Sequence, residues 1–276
     1  MKIPHPKPKY RSELRIALGT QYYRIRRYLK WWFGEEKYAS LGSAGDFPFE
    51  YRRHQSPLYR VLKDVEVVLQ ENKVTNLKIA VPKINGIILR PGETFSYWKC
   101  IGKPTKRKGY LPGMVLKSGT VAAATGGGLC QLSNMIYWLT VHTPLTVIER
   151  HRHGFDVFPD SNRTQPFGSG ATCFYNYGDL MIRNDTAQSF KLVLEVGNEF
   201  LEGAWTCETA PEFRYEVYEK EHFMQSEFWG GYTRHNLIHR RKFAADSGAF
   251  LDDEYVVENH AVMMYSPFIS EQKESL

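Results

Sequence analysis

Hydrophobic positions along the chain follow two spacings, which predict a few helices among many strands. Residues 11–33 repeat apolar side chains every three or four positions, as amphipathic helices do. The same spacing over 58–70, and from Leu129 to about His142, predicts two more helices, the last stopped near Pro144. Alternating or β-branched runs predict strands at 84–89, 94–98, 145–150, 171–177, 180–184, 190–196, 214–218, 235–244 and 254–265.

This order of elements predicts an α+β fold with a mostly antiparallel β-sheet core. Residues 1–57 read as a proline-containing basic arm, the first helix and a linker over 34–57 that is rich in glycine and proline. Residues 58–210 are expected to form the main domain. Residues 211–276 are expected to be a β-rich extension packed on that same domain.

The composition is typical of a soluble globular protein, with 42% hydrophobic and 24% charged residues. No apolar run approaches the roughly 20 residues that span a bilayer. The stretch after the first basic residues is interrupted by arginine and tyrosine, unlike the apolar region of a secretory signal. We therefore expect a cytoplasmic protein, or one held at the inner face of the membrane. The four cysteines form no CxxC pair and are expected to be reduced.

Positive charge is concentrated at the start of the chain, where residues 1–33 hold nine Lys and Arg and one acid, Glu13. The predicted helix over 11–33 is therefore basic and amphipathic, and it could lie on an anionic membrane surface. The alternative is a helix that packs its apolar stripe on the main domain and keeps its cations in water. No nucleic-acid reading motif accompanies the charge, so nucleic acid is not an expected partner. The apolar stripe consists of Leu14, Leu18, Ile25, Leu29 and Trp32.

The strongest local signal is a glycine run, 126–128, directly before the helix that carries Cys130. Glycines permit positive φ and leave backbone N–H groups exposed, and the start of a helix carries partial positive charge. A thiol in that position is expected to have a lowered pKa and to act as a thiolate nucleophile. The N–H groups of Gly126, Gly127 and Gly128, with the side chain of Gln131, could stabilise an oxyanion. The alternative is a tight loop packed against a strand, with Cys130 as a small buried apolar residue.

A thiolate nucleophile works with a base, and histidines follow the predicted Cys130 helix. His142 would point to the far end of that helix, whereas His151 and His153 follow the next strand and share one face of an extended segment. These two histidines could instead be structural, or could join Cys130 as three zinc ligands. Three acids are equal candidates for orienting the imidazole: Glu149, Asp156 and Asp179. Cys100, Cys173 and Cys207 lack such a context and are assigned to packing.

Eight short motifs occur in an order that resembles the VanW family, and together they cover about half of the chain. GGGxCQxS followed by ERxxH is the most specific pair. The motifs are NLKIA (76–80), NG (85–86), PGETFSY (91–97), GY (109–110), GGGLCQLSN (126–134), ERHRH (149–153), AT (171–172) and DLMIRNDT (179–186).

The resemblance implies an association with glycopeptide resistance, and for some larger exported relatives a cysteine-dependent L,D-transpeptidase activity. Carried over by motif, the nucleophile is Cys130 and the general base is His153, the last position of ERxxH. Glu93 and Ser96, in PGETFSY, would line the pocket or fix its turn. Further pocket candidates within the motifs are Ser133, Glu149, Arg150, His151 and Asp179.

The chain departs from the pattern of its relatives in two ways. Many carry an acid just before the Ala-Thr step, where this chain has Gly170. The larger relatives also have a signal or anchor and extra domains, which are not expected here. A cytoplasmic protein would therefore act on a membrane-bound precursor at the inner face.

The expected function is cysteine-dependent acyl transfer on a cell-wall stem peptide or lipid-linked precursor, without a cofactor or metal. The main alternative is a non-catalytic accessory protein that binds such a precursor, or a resistance partner, and is attached to the membrane by its basic helix. A weaker alternative is a metal-dependent hydrolase.

Overall fold

The structure is a computed structural model that describes residues 11–42, 45–59, 66–117, 119–157 and 165–267. The described part is an α+β fold in which almost all strand pairs are antiparallel, as the sequence predicts. The predicted arm over residues 1–9, and six residues of the helix predicted over 58–70, lie outside the described ranges.

Four α-helices are present in the described residues. Ser12 begins the first by accepting a hydrogen bond from the backbone N–H of Arg15 at 3.4 Å, which satisfies one of the free N–H groups at a helix start. The helices are α1 (Glu13–Phe33), α2 (Val67–Ala80), α3 (Tyr97–Ile101) and α4 (Cys130–Thr140).

Fourteen strands complete the described fold. They are β1 (Ser40–Leu41), β2 (Phe49–Pro57), β3 (Ile87–Leu89), β4 (Thr94–Ser96), β5 (Pro112–Lys117), β6 (Thr120–Thr125), β7 (Thr146–Glu149), β8 (Phe155–Asp156), β9 (Met181–Arg183), β10 (Phe190–Val196), β11 (Phe200–Cys207), β12 (Phe213–Ser226), β13 (Tyr232–Ala244) and β14 (Phe250–Met263).

The strands form four sheets. The central one has five strands in the order β1-β3-β10-β11-β2, and all of its pairs are antiparallel. A long C-terminal sheet has the order β12-β13-β14-β8, in which β8 and β14 are parallel. Smaller sheets join β4-β9-β7 and β5-β6. Because β8 precedes the C-terminal strands by more than fifty residues, its pairing attaches the C-terminal sheet to the main domain.

The hydrophobic core lies between α4 and the central sheet. Leu132, Ile136 and Leu139 of α4 are fully buried, and the indole of Trp205 on β11 donates a 3.0 Å hydrogen bond to the hydroxyl of Thr140. At the other end of the helix, the side-chain amide of Gln131 donates to the carbonyl group of Pro57, at the end of β2, at 2.8 Å. Both ends of α4 are therefore fixed, and its first residue, Cys130, has a defined place.

Several segments differ from the sequence prediction. The helix predicted over 58–70 is found at 67–80, and β5, β6, β8 and β11 form where no strand is predicted. Residues 34–57, predicted as a linker, contain β1 and β2; β2 is an edge strand with mostly exposed side chains and shows no apolar alternation. Residues 94–98 leave the extended conformation after Ser96, where α3 begins. The strand predicted over 171–177 does not form, and only Phe174 makes an isolated bridge, with Gly178.

Helix α1 packs on the main domain with a face that the hydrophobic pattern does not predict. Arg27 and Trp31 are its buried residues. The hydroxyl groups of Tyr28 and Tyr175 lie 2.7 Å apart, and Arg24 donates to the carbonyl oxygen of Tyr175 at 3.1 Å. The predicted packing of the apolar stripe is therefore wrong, because the stripe faces away from the domain. None of the described helices combines the length and the apolar character needed to cross a membrane.

Candidate functional site

The glycine run before α4 forms a turn that passes very close to β5. Gly126 and Gly128 have φ values of 78° and 88°, a region that favours glycine. An added Cβ on Gly127 would lie 2.0 Å from the carbonyl oxygen of Gly113. Glycine is therefore required here by the backbone conformation and by the close approach of a strand, which was the alternative interpretation of this motif.

The N–H groups of the glycine run are not available to an oxyanion, contrary to the sequence prediction. Each donates to a backbone carbonyl group at 2.8–3.0 Å; the acceptors are those of Leu111 for Gly126, Ala124 for Gly127 and Met114 for Gly128. The Gln131 amide is likewise used by the end of β2. Within the described part of the chain, the backbone N–H of Cys130 itself donates no hydrogen bond. The N–H groups of Leu129 and Cys130 are therefore the donors at the start of α4 without a backbone acceptor in the described residues.

Cys130 is the first residue of α4, and its thiol lies against a second cysteine. Its Sγ is 4.0 Å from the carbonyl oxygen of Cys173. Burial raises the pKa of the Cys130 thiol, although the contact with Cys173 lowers it in part. The predicted thiolate is therefore not the resting form, because loss of water disfavours the charged sulfur. All four cysteines are free thiols.

The segment 171–173 lies between the first turn of α4 and the residues after β7. On one side, the hydroxyl of Ser133 donates to the carbonyl of Ala171 at 2.6 Å, and the side-chain oxygen of Asn134 accepts from the N–H of Ala171 at 2.8 Å. On the other side, the N–H of Thr172 donates to the carbonyl of His151 at 2.8 Å. Cys130 and the predicted base segment therefore flank the same short stretch of backbone.

Gly170 and Arg150 hold this stretch in place. A Cβ on Gly170 would lie 2.5 Å from the side-chain oxygen of Asn134, so any larger residue here would displace that oxygen from its hydrogen bond with Ala171. Arg150 donates to the carbonyl oxygens of Gly170, at 2.8 Å, and of Gly168, and to the side chain of Asn259 at 3.1 Å. Arg150 is thus a structural residue that fastens the segment to β14.

Of the two histidines, His151 is the one with an acid partner. Its Nε2 lies 2.9 Å from Oε1 of Glu149. The ring of His153 stands edge-on to Phe174 at 6.5 Å, and burial, with a contribution from Arg152, lowers its pKa. Neither histidine is hydrogen-bonded to Cys130 in the described residues, so the predicted Cys130–His153 pair is not formed in this state.

Glu149 also accepts a hydrogen bond from the buried Arg27 of α1, a contact that the sequence did not predict. Nη2 of Arg27 donates to Glu149 Oε1 at 2.5 Å, and the N–H of Asp179 donates to the same oxygen at 3.1 Å. Burial raises the pKa of Glu149, but the hydrogen bonds from His151 and Arg27 outweigh it and lower the pKa to about 2. Glu149 is therefore ionised at neutral pH and can fix the His151 ring. No local pattern distinguishes Arg27 from the other cations of α1.

Asp179 and Ser96 are brought together, but by the start of α3. The Ser96 hydroxyl donates to Asp179 Oδ2 at 2.5 Å, and the N–H of Trp98 donates to Oδ1 at 2.9 Å. Glu93 accepts from the N–H of Arg90 at 3.0 Å and closes the preceding turn. These three motif residues fix the loop, and Asp179 has no histidine partner in the described residues. Asp156, the third acid considered, instead pairs with Arg234 at 3.3 Å.

The zinc alternative finds no support in the arrangement of side chains. Among the described residues, no three His, Cys, Asp or Glu side chains are grouped so that they could hold a metal ion. Cys130, His151 and His153 are therefore not a ligand set in this geometry.

Asp179 predicts a pH dependence of stability. Its complete burial raises its pKa from 3.8 to about 6, despite the hydrogen bonds from Ser96 and Trp98. The folded state then holds the proton more tightly than the unfolded chain, so the free energy of unfolding falls as pH rises from about 4 to about 6. Asp179→Asn is expected to remove this fall, and urea denaturation across the range measures it. An equal fall in the variant would contradict the assignment.

Comparison with known proteins gives three findings. The family model described as "VanW like protein" matches residues 72–206. The chain is 30% identical over 228 residues to the vancomycin B-type resistance protein VanW of Enterococcus faecalis, covering 83% of this chain and 82% of that protein. It is 26% identical over 116 residues to YoaR, an uncharacterized protein of Bacillus subtilis, covering 41% of this chain and 36% of that one. No solved structure matches.

Proposed function

Because the chain belongs to the VanW family, we propose that it serves vancomycin resistance or cell-wall metabolism as a cysteine-dependent acyltransferase. The relative from Enterococcus faecalis carries resistance in its name and matches most of both chains, which supports the biological association. The proposed substrate is a peptidoglycan stem peptide or its lipid-linked precursor. With the lipid-linked precursor as substrate, the protein would act at the inner face of the membrane.

The observation that carries the proposed chemistry is the arrangement around residues 171–173. Cys130 stands at the start of α4 on one side, with its own N–H unused. The Glu149–His151 pair stands on the other side, joined through Thr172. A nucleophile, an unused N–H at a helix start and a histidine oriented by an ionised acid are the parts that acyl transfer requires.

In the proposed reaction, Cys130 Sγ attacks an amide carbonyl carbon and forms a C–S bond. His151 takes the thiol proton, since the raised pKa of Cys130 keeps the thiol protonated until a base removes it. The C–N bond then breaks, and the imidazolium returns the proton to the leaving amine. An acceptor amine or water attacks the thioester and releases Cys130. The base is His151 and not His153, because Glu149 orients only His151.

A second candidate function is a non-catalytic accessory protein that binds the same precursor or a resistance partner. Two observations favour it: the raised pKa of Cys130, and the glycine N–H groups that are already hydrogen-bonded. A binding protein forms no covalent intermediate, so acylation of Cys130 by a stem peptide separates the two functions.

Incubation with synthetic stem peptides is expected to add one acyl group to the protein, measured by intact mass, with the site mapped by proteolysis. Cys130→Ala should fold normally and remain unmodified, whereas Cys207→Ala, which removes a thiol in β11, should be acylated like the parent. His151→Gln is expected to slow acylation by about 100-fold or more, as loss of a general base does, and His153→Gln to slow it much less.

Iodoacetamide labelling at increasing pH provides the companion measurement. Labelling of Cys130 is expected to be slow near neutral pH and to accelerate above the free-thiol pKa of about 8.5. Absence of any acyl adduct with every stem peptide would reject the enzyme and favour the accessory protein. Loss of activity in His153→Gln alone would move the base to His153.

A further inference from the structure

The apolar stripe of α1 is exposed along its whole length. Leu14, Leu18, Ile25, Leu29 and Trp32 are each between 51% and 70% exposed. At 100° per residue these five positions fall within a sector of roughly 60° on the helix. An ordered stripe of large apolar side chains in water indicates a surface that something else covers.

The main domain cannot be what covers the stripe, because α1 is already fixed by another face. Arg24, Arg27, Tyr28 and Trp31 lie roughly 70–170° around the helix from the centre of the stripe and make the contacts with the domain. Arg27 is buried and bonded to Glu149, so a rotation of α1 that buried the stripe would break this pair. The attachment therefore holds the stripe outward.

The charge around the stripe indicates what covers it. The exposed cations Arg11, Arg15, Arg26 and Lys30 border the stripe on one side, and Glu13 is the single acid of α1. A second copy of the chain would bring these cations against one another, whereas anionic lipid headgroups would pair with them.

Exposed aromatic side chains complete the surface. Tyr22, Trp32 and Phe33 are each more than half exposed and lie in or beside the stripe, and such side chains favour the boundary between headgroups and acyl chains. We propose that α1 docks on an anionic lipid bilayer, lying in the plane of its surface with the stripe of Leu14, Leu18, Ile25, Leu29 and Trp32 in the acyl boundary.

Docking in this orientation would hold the candidate site on the opposite side of α1, about one helix diameter from the bilayer. The ring of Tyr23 is 6.3 Å from Tyr177, which stacks on Phe174 at 5.7 Å. Phe174 lies beside His151 and His153. Delivery of a lipid-linked substrate to Cys130 rests on the proposed function, but docking itself does not.

The test is flotation of the full chain with vesicles of phosphatidylcholine, alone or with about 30% phosphatidylglycerol. The double variant Leu18→Asp/Ile25→Asp places two carboxylates in the stripe at exposed positions, so the fold is retained. The matched control, Met224→Asp/Leu251→Asp, makes the same change at exposed positions of the C-terminal sheet.

We expect the parent and the control to bind anionic vesicles at least tenfold more strongly than neutral ones, less so at about 0.5 M salt. The α1 variant should lose at least tenfold of this binding. Equal binding by the α1 variant, or no preference for anionic lipid, would overturn the proposal. So would concentration-dependent dimers that the α1 variant abolishes.

Acylation of the same α1 variant by a water-soluble stem peptide separates this proposal from the proposed function. The docking proposal is wrong if the α1 variant and the control variant both still bind anionic vesicles like the parent, whatever the acylation result. The acyltransferase fails if the parent binds vesicles and is never acylated.

Discussion

Replacing Gly127 with alanine is expected to lower the free energy of unfolding by about 3 kcal/mol or more. The added Cβ would stand 2.0 Å from the carbonyl oxygen of Gly113 and close to its carbonyl carbon, and both of these are backbone atoms that cannot rotate away. The turn or β5 would have to move. Since the turn leads directly into α4, the movement would also displace Cys130.

The measurement is urea denaturation followed by circular dichroism, with iodoacetamide labelling of Cys130 in the native protein. Gly154→Ala is the matched control, because nothing lies within 4 Å of its added Cβ; its stability should stay within about 0.5 kcal/mol of the parent. If Gly127→Ala were as stable as this control, the close approach of the turn to β5 would be wrong.

Replacing Arg27 with methionine is expected to cost about 3–5 kcal/mol, because it removes the cation from a buried pair and leaves its partner charged. Arg27 donates to Glu149 at 2.5 Å and to the carbonyl of Tyr177 at 3.0 Å, and Asp179 lies 4.0 Å away. Methionine keeps much of the apolar stem but removes the cation that donates to Glu149 and to the carbonyl of Tyr177.

Arg26→Met is the control, because Arg26 is next to Arg27 in the sequence but its side chain is exposed. Loss of the Arg26 side chain should change the free energy of unfolding by less than about 0.5 kcal/mol. The comparison can be extended to low pH. Glu149, with a folded pKa of about 2, contributes stability above its unfolded pKa of 4.5 that is lost as pH falls towards 2. The deficit of Arg27→Met should therefore shrink below about pH 4.5, and a constant deficit would argue against the pair.

Elements whose signal is local were predictable from the sequence. The apolar spacing that begins at Leu129 predicts α4, and β10 spans the predicted 190–196 because its side chains alternate between buried and partly exposed. β2 was not predicted because both faces of this edge strand are largely exposed to solvent, so its sequence does not alternate between apolar and polar side chains. The start of α3 was missed because the carboxylate that receives the Trp98 N–H comes from Asp179, eighty-one residues later.

The sequence could name candidate residues for the site but not their electrostatics. The motifs place Cys130, His151 and Glu149 in neighbouring parts of the chain, and the hydrogen bonds of residues 171–173 bring them to one segment. The pKa of Cys130 depends on how much water the fold removes, which a helix-start pattern does not report. The glycine N–H groups were expected to be free, but their acceptors lie in β5, β6 and Leu111, which no local pattern connects to the run. Arg27 was missed because only tertiary packing singles it out.

The pairing of β2 with β11 has a consequence for biosynthesis. Residues 49–57 find their partner only when residues 200–207 have left the ribosome, about 150 residues later. At roughly 5–20 residues per second, the delay is about 7–30 s. During this time β2 is an unpaired strand with both hydrogen-bonding edges open, and the apolar face of α4 has no sheet to cover it. The nascent chain therefore needs shielding from other unfolded chains until translation has passed β11.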